Sequence, residues 1–380
     1  MNQKELNELR RRFRPDRSSI RSIYGCYVSG SRQIISWIDA PLGLMPQEEQ
    51  ELYLGLLKKS LSGTLGKNLI DIVFSSQQVA DSDEHRLLQT LRRTALQDRA
   101  ARETLCQKII NAIDLGGSSY LILLAADAYD VPHRGKDGRL QRENADEVFQ
   151  YIVCSVCPVK TPSPALSYCA GDNEFHQAPA GQTAAAPELG FLFPAFDDRT
   201  ANIYNALFYT KNAACLHQEV IAPLFCVEPP MSAAEQKEIF DGTLRQTLEK
   251  DCSYDVIQSV HEQLRTRIEA HRESKDPEPL TLSVGEVARI LTDNGVPAEK
   301  ADAFRAECER QYGPAAALNP DNLIERNKFE VTTQEAKLHV APENSSLIEA
   351  RVINGRKYIL IPADAGVSIN GVDVTIPLHP

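Results

Sequence analysis

The sequence has no long apolar run, and its first residues do not have the pattern of a secretory leader. Its longest apolar stretch, Tyr120-Leu-Ile-Leu-Leu-Ala-Ala126, is much shorter than the roughly 20 residues that a membrane-spanning helix needs. The first residues, Met1-Asn-Gln-Lys-Glu-Leu6, are polar and do not contain the apolar core of a signal peptide. We therefore expect no membrane span and a cytoplasmic location, with the apolar stretch forming a buried strand.

A dense cysteine framework is also missing. The nine cysteines are scattered and odd in number, whereas small secreted domains carry closely spaced and usually paired cysteines. This pattern predicts reduced thiols. The one close pair, Cys154-Ser-Val-Cys157, ends an apolar strand. That position favours buried structural thiols, with a redox pair and a zinc site as the alternatives.

The common catalytic and cofactor-binding signatures are absent. The histidines form no H-x-x-x-H or H-E-x-x-H pattern, and no G-x-S-x-G or G-x-G-x-x-G segment occurs. The stretch Gly63-Thr-Leu-Gly-Lys-Asn68 departs from the nucleotide phosphate loop, because it lacks the first glycine and the hydroxyl residue. It also follows a predicted helix, so a turn is the better interpretation. We expect no cofactor and no metal site.

The chain is long enough for two domains. It has 380 residues, of which 42% are hydrophobic and 24% charged, as in an ordinary globular protein. The predicted fold class is α+β, with a mixed sheet and packed helices followed by a helical hairpin and a small β meander. We expect a main domain over residues 1–272, a linker over 273–280 that is rich in proline and charge, and a C-terminal domain over 281–380.

Apolar periodicity locates the main elements. Strands are predicted over 68–74, 119–126 and 148–156, and one long helix over 83–113. Near the C-terminus, Ser283-Val-Gly-Glu286 is a capping box that begins the first helix of a pair over 283–311. That pair is better explained as a structural hairpin than as a DNA-reading motif, because acidic residues cancel the basic ones on its second helix. Asn354-Gly355 and Asn370-Gly371 predict hairpin turns.

Charge is distributed unevenly along the chain. Residues 1–21 carry seven basic and three acidic side chains, so this segment has a formal charge of +4 and the remainder −15. A basic segment of this kind is a candidate for binding phosphates. The alternatives are a solvated helix face, docking on the acidic body, or contact with an anionic membrane. The candidate nucleic-acid-binding residues are Arg10, Arg11, Arg12, Arg14, Arg17 and Arg21.

Carboxylates that follow apolar strands provide an alternative site. Such side chains could bind a divalent cation or act as acid and base, although a turn with a local salt bridge has the same pattern. The candidates for this site are Asp127, Asp130, Asp197, Asp198, Arg199 and Lys211.

Several stretches carry a family resemblance. They span most of the chain: Tyr24-Gly-Cys-Tyr-Val28, Leu61-Ser-Gly-Thr-Leu-Gly-Lys-Asn68, Ala128-Tyr-Asp-Val-Pro132, Cys154-Ser-Val-Cys-Pro-Val159, Gly190-Phe-Leu-Phe-Pro-Ala-Phe-Asp-Asp-Arg199 and Phe208-Tyr-Thr-Lys-Asn212. The chain resembles the domain-of-unknown-function family four-three-one-seven, an uncharacterised family of anaerobic Gram-positive bacteria. That resemblance implies no activity and no catalytic residues. The order of elements is also similar to that of bacterial nucleoid-associated proteins of the thirty-seven-kilodalton type, which are acidic and associate with DNA.

Together these features predict a non-enzymatic intracellular binding protein. Nucleic acid or an acidic protein is the expected partner. The alternatives are an enzyme with a carboxylate-based site and a structural or scaffolding protein.

Overall fold

A computed structural model gives the fold as two compact units. It describes residues 1–131, 133–134, 140–141, 148–161, 166–171, 173–177, 181–274, 276, 278–313, 316–326, 328–364 and 366–375. The first unit comprises Met1–Glu235 with Pro277–Pro279, and the second comprises Gln236–Asp276 with Leu280–Pro380. Residues 275 and 277 of the predicted linker, and 365 and 376–380 of the predicted C-terminal β region, lie outside the described residues.

An antiparallel sheet forms the centre of the first unit. Its strands run in the order β2-β1-β4-β7-β11-β14-β3, and β10 pairs with β7. Every pairing between these strands is antiparallel. The strands are β1 (Ser22–Val28), β2 (Ile34–Pro41), β3 (Leu69–Val73), β4 (Tyr120–Asp130), β7 (Val148–Lys160), β10 (Thr183–Ala184), β11 (Leu189–Phe193) and β14 (Asn205–Thr210).

Two-stranded ribbons accompany this sheet in the first unit. They pair β5 (His133–Arg134) with β6 (Leu140–Gln141), β8 (Leu166–Cys169) with β9 (Glu174–Gln177), and β12 (Ala195–Asp197) with β13 (Thr200–Asn202).

Helices cover both faces of the sheet. The α-helices among the described residues that cover it are α1 (Gln3–Arg10), α2 (Gln47–Lys59), α3 (Ser76–Asp81), α4 (Asp83–Arg93), α5 (Arg99–Ala112) and α6 (Gln218–Phe225). On β4, Ile122 and Leu124 pack in the core beneath α4, α5 and α6, whereas Leu123 and Ala125 pack in the core beneath α1 and α2. Because neighbouring side chains point to opposite faces, a strand covered on both sides reads as a continuous apolar run.

The second unit has its own helical core. Its helices are α7 (Ala233–Leu248), which begins three residues before the boundary, α8 (Tyr254–Ser274), α9 (Val284–Asp293), α10 (Ala298–Tyr312) and α11 (Pro320–Leu323). The sequence assigned the first two of these helices to the main domain, but their apolar faces pack with α9 and α10. The Ser283 capping box is present, with the Glu286 N–H donating to Ser283 Oγ at 3.2 Å.

Short strands complete the second unit. They pair β15 (Leu282–Ser283) with β16 (Ala317–Leu318), β17 (Phe329–Thr332) with β18 (Lys337–Val340), β19 (Glu349–Ile353) with β20 (Arg356–Leu360), and β21 (Val367–Ile369) with β22 (Val372–Val374). The last two pairs turn at Asn354-Gly355 and Asn370-Gly371. All four of these turn residues have positive φ, as two-residue hairpin turns require.

The α+β class and the strands over 68–74, 119–126 and 148–156 are confirmed. Three details of the prediction are wrong. The main sheet is antiparallel rather than mixed, and the described C-terminal strands form separate hairpins rather than one meander. The helix over 83–113 is two helices, because Ala95 and Leu96 adopt positive φ and Asp98 caps a new helix by accepting the Ala101 N–H. None of the described helices is long and apolar enough to cross a membrane.

Candidate functional site

Asp127 lies in a closed hydrogen-bond network rather than at an open site. Its side chain is 1% exposed. Arg12 donates to both carboxylate oxygens, from Nε at 2.8 Å and from Nη2 at 3.0 Å. The Ser19 N–H and the Tyr151 hydroxyl donate at 2.8 and 2.7 Å. Because these donors satisfy both oxygens of a buried carboxylate, we assign Asp127 a structural role.

Arg12 is likewise held by the body of the first unit. Besides the pair with Asp127, its Nη2 donates to the Ala128 carbonyl at 3.1 Å. The guanidinium also lies 4.5 Å from the centre of the Tyr129 ring, a cation–π contact. Burial opposes the charge on Arg12, but the bonds with Asp127 prevail and raise its pKa. One candidate phosphate ligand is therefore committed to an internal ion pair.

Arg199 and the acidic side chains of α1 form a second junction. The Arg199 guanidinium donates to Glu8 at 3.1 Å, and its backbone N–H donates to Glu5 at 3.1 Å. Tyr129 donates its hydroxyl to Glu8 as well. Sequence reasoning missed both glutamates, although Asn2 and Glu5 form a capping box whose spacing is visible in the sequence.

The remaining carboxylate candidates have separate surroundings. Asp197 accepts the Asn202 side-chain amide at 3.0 Å, and Lys211 pairs with Glu188 at 3.2 Å. Asp130 and Asp198 are exposed. The described residues contain no group of three histidine, cysteine, aspartate or glutamate side chains placed to hold a metal ion.

Cys154 and Cys157 are both buried in β7. Burial raises the pKa of both thiols, in the case of Cys157 to about 12. A protonated, enclosed thiol is a poor nucleophile. These properties support the interpretation of the pair as structural thiols.

The arginines of residues 10–21, here called the arginine segment, divide into two groups. Arg10 donates to the carbonyls of Leu61 and Gly63, at 2.5 and 3.3 Å, just beyond the end of α2. Arg10 and Arg12 thus anchor the segment. The other four side chains are exposed: Arg11, Arg14, Arg17 and Arg21.

The backbone that follows the anchor Arg12 is ordered by local hydrogen bonds. The N–H groups of Arg17 and Ser18 donate to the Arg14 carbonyl at 3.1 and 3.0 Å. Phe13 and Ile20 are buried on the α1 side of the sheet. Arg17 pairs with Asp16 at 3.6 Å, and both side chains are more than half exposed, so this pair contributes little. The exposed arginines therefore project from a fixed backbone.

The second unit contains a different kind of site, a cavity of about 390 Å³ between α7 and α8 that we call the α7–α8 pocket. Lys237, Asp241 and Arg245 lie on α7 at intervals of four residues, which places them along one side of the helix. Ile257 and His261 have the same spacing on α8. The third wall is supplied by Glu325, Lys328, Phe329 and Glu330.

His261 is a partly buried titratable group in this pocket, and its pKa is strongly shifted. Its ring meets Phe329 edge to face, with the ring centres 5.7 Å apart. Burial, assisted by the charge of Lys237 and partly opposed by that of Asp241, lowers its pKa to about 4. A neutral imidazole carries one donor and one acceptor nitrogen. No sequence motif marked this residue, because its neighbours come from segments far apart in the chain.

Comparison with known proteins gives one family. The sequence profile described as "Domain of unknown function (DUF4317)" matches residues 1–372. This is the family that the motif resemblance indicated. A search of curated proteins found no match, and the similarity in layout to nucleoid-associated proteins is not supported.

Replacing Asp127 tests the buried pair. Asp127→Ala leaves the Arg12 charge without its partner, so we expect the free energy of unfolding to fall by about 3–5 kcal/mol. Asp130→Ala, on the exposed end of the same strand, should change it by less than about 0.5 kcal/mol. Urea denaturation followed by the fluorescence of Trp37, the single tryptophan, reports on the first unit. Equal small effects of the two variants would contradict the assignment.

The titration of His261 tests the electrostatics of the pocket. Its imidazole resonances should report a pKa of about 4. Lys237→Gln should raise that pKa and Asp241→Asn should lower it, because each variant removes a charge of known sign. Since the unfolded value is higher, at about 6.5, the folded state binds fewer protons between these values. Stability should therefore fall as the pH drops from about 6.5 towards 4. A His261 pKa near 6.5 would contradict the described burial.

Proposed function

Because this chain belongs to the DUF4317 family, whose description assigns no function, we propose a function from its own residues: it is a non-enzymatic cytoplasmic protein that binds nucleic acid. The observation that carries this proposal is the exposed half of the arginine segment. Arg11, Arg14, Arg17 and Arg21 point away from the core, while Arg10 and Arg12 hold the backbone beneath them.

The geometry supports phosphate binding for a physical reason. Binding by a flexible segment costs both backbone and side-chain conformational freedom, and a backbone that is already fixed removes the first of these costs. Arg11, Arg14 and Arg21 form no ion pair with any residue that the structure describes, so a phosphate need not displace an internal carboxylate. The remainder of the chain is acidic, so binding would be confined to this surface.

The alternative of a carboxylate-based enzyme has less support. Its central candidate, Asp127, has its oxygens occupied by Arg12, Ser19 and Tyr151 and is closed to solvent. A general base or a metal ligand needs a free lone pair facing its substrate or ion. No specific contact between the described residues favours this function.

Binding of labelled duplex and single-stranded oligonucleotides, followed by fluorescence anisotropy across a salt series, tests the proposal. Four phosphate contacts on duplex DNA give a log–log salt slope of about −3.6, so affinity should fall about 100-fold between about 50 and 200 mM salt. Replacing Arg11, Arg14, Arg17 and Arg21 together by glutamine should abolish most of the binding and most of the slope.

A matched control removes the same charge elsewhere on the first unit. The four exposed arginines Arg32, Arg86, Arg93 and Arg99 are replaced by glutamine, and this variant should bind as the parent does. No binding at low salt, or an equal loss in both quadruple variants, would reject the proposal. Displacement of the oligonucleotide by polyglutamate at equal charge concentration would instead indicate an acidic protein partner.

A further inference from the structure

We propose that the α7–α8 pocket binds a small zwitterion, an α-amino acid or a dipeptide with an apolar side chain. This inference is independent of nucleic-acid binding, because it rests on residues of the second unit alone.

The pairing of the charges in the pocket carries the argument. Six charged side chains line it, and two pairs of them neutralise each other. Lys237 donates to Asp241 at 2.9 Å, and Lys328 donates to Glu330 at 3.1 Å. Glu330 also accepts from Lys337 at 2.8 Å. This contact with Lys337 and that with Lys328 lower the pKa of Glu330 to about 2.

The other two charges are unpaired. Arg245 and Glu325 lie at the open, solvent-exposed side of the cavity, and neither forms an ion pair or hydrogen bond with another described residue. One is a cation and the other an anion, and they line the same cavity from α7 and from the segment before β17. A ligand that carries both a carboxylate and an ammonium group can pair with both of them, whereas a simple anion or cation can pair with only one.

The rest of the lining fits the apolar part of such a ligand. Leu244, Ile257 and Phe329 add hydrocarbon and aromatic surface to the same lining. The neutral ring of His261 can add one directional hydrogen bond. A volume of about 390 Å³ lies within the range of about 300–1,000 Å³ that is usual for small-molecule sites.

The pocket is built for binding rather than for nucleophilic chemistry. Cys252, which also lines it, is partly buried, and burial raises the pKa of its thiol despite the opposing charge of Arg245. The thiol is therefore protonated at neutral pH, which is the unreactive form.

Isothermal titration calorimetry of the full chain with defined probes tests the proposal. L-Phenylalanine and L-leucyl-L-phenylalanine represent the two sizes of zwitterion. 3-Phenylpropionate lacks the ammonium group, and phenethylamine lacks the carboxylate. We expect saturable binding of at least one zwitterion, and binding about tenfold or more weaker for both truncated probes, since each loses a charged hydrogen bond.

Variants then locate the site. Arg245→Gln should weaken the zwitterion about ten- to hundredfold and leave phenethylamine unchanged, and Glu325→Gln should weaken both the zwitterion and phenethylamine. Arg289→Gln and Glu299→Gln, exposed positions on α9 and α10, are the matched controls and should change nothing. Circular dichroism checks that each variant is folded.

The His261 imidazole resonance provides a second measurement, which should shift on addition of the bound zwitterion. The proposal is overturned by the absence of saturable binding of both zwitterions, or by equal binding of 3-phenylpropionate. Binding that neither Arg245→Gln nor Glu325→Gln changes would also overturn it. Loss of nucleic-acid binding would leave it untouched.

Discussion

The buried pair between Arg12 and Asp127 is the constraint on which the arrangement of the first unit depends. Removing two charges from water is costly, and their mutual attraction offsets that cost only when the remaining hydrogen-bonding groups are also satisfied. Ser19 and Tyr151 donate the further hydrogen bonds that the carboxylate needs, and the Tyr129 ring lies over the guanidinium. The ion pair and its hydrogen bonds therefore hold the segment before β1 in place over the sheet.

This constraint determines which arginines can meet a partner. A count of charges treats the six arginines as equivalent, but their environments differ according to the direction in which the fixed backbone points them. Arg10 and Arg12 face carbonyls and a carboxylate of the body, whereas their neighbours face solvent. The sequence left open whether this segment docks on the body or exposes a charged face. The two interpretations are compatible, because Arg10 and Arg12 contact the body while the other four arginines are exposed.

The sequence correctly predicted those elements whose structure depends on residues close together in the chain. The strand containing Leu123 was visible because both faces of the sheet are covered, and the Asn-Gly turns because few residues tolerate positive φ. The break between α4 and α5 was missed because the apolar stripe continues across it, while the signal for the break is a single capping side chain, Asp98.

Contacts between distant residues could not be predicted in this way. Arg12 and Asp127 are separated by 115 positions, and nothing in either neighbourhood identifies the other. The α7–α8 pocket is a stronger case, because Arg245, His261 and Glu325 come from three segments and none belongs to a motif. What marks Arg245 and Glu325 is that they line one cavity without an ion pair to any described residue, and that combination is visible only in the folded structure.

The two candidate sites differ in the physics that would govern them. The arginine segment presents charges of one sign to solvent, so its attraction extends over a Debye length and weakens as salt is added. The α7–α8 pocket holds equal numbers of positive and negative groups, so its field largely cancels at a distance and acts only on a ligand already inside. Attraction to the first site would favour a partner of high charge density, whereas binding at the second would depend on how the charges of the ligand are arranged within a small volume. A chain with a net charge of −11 can accommodate both, because neither site depends on the sign of the whole protein.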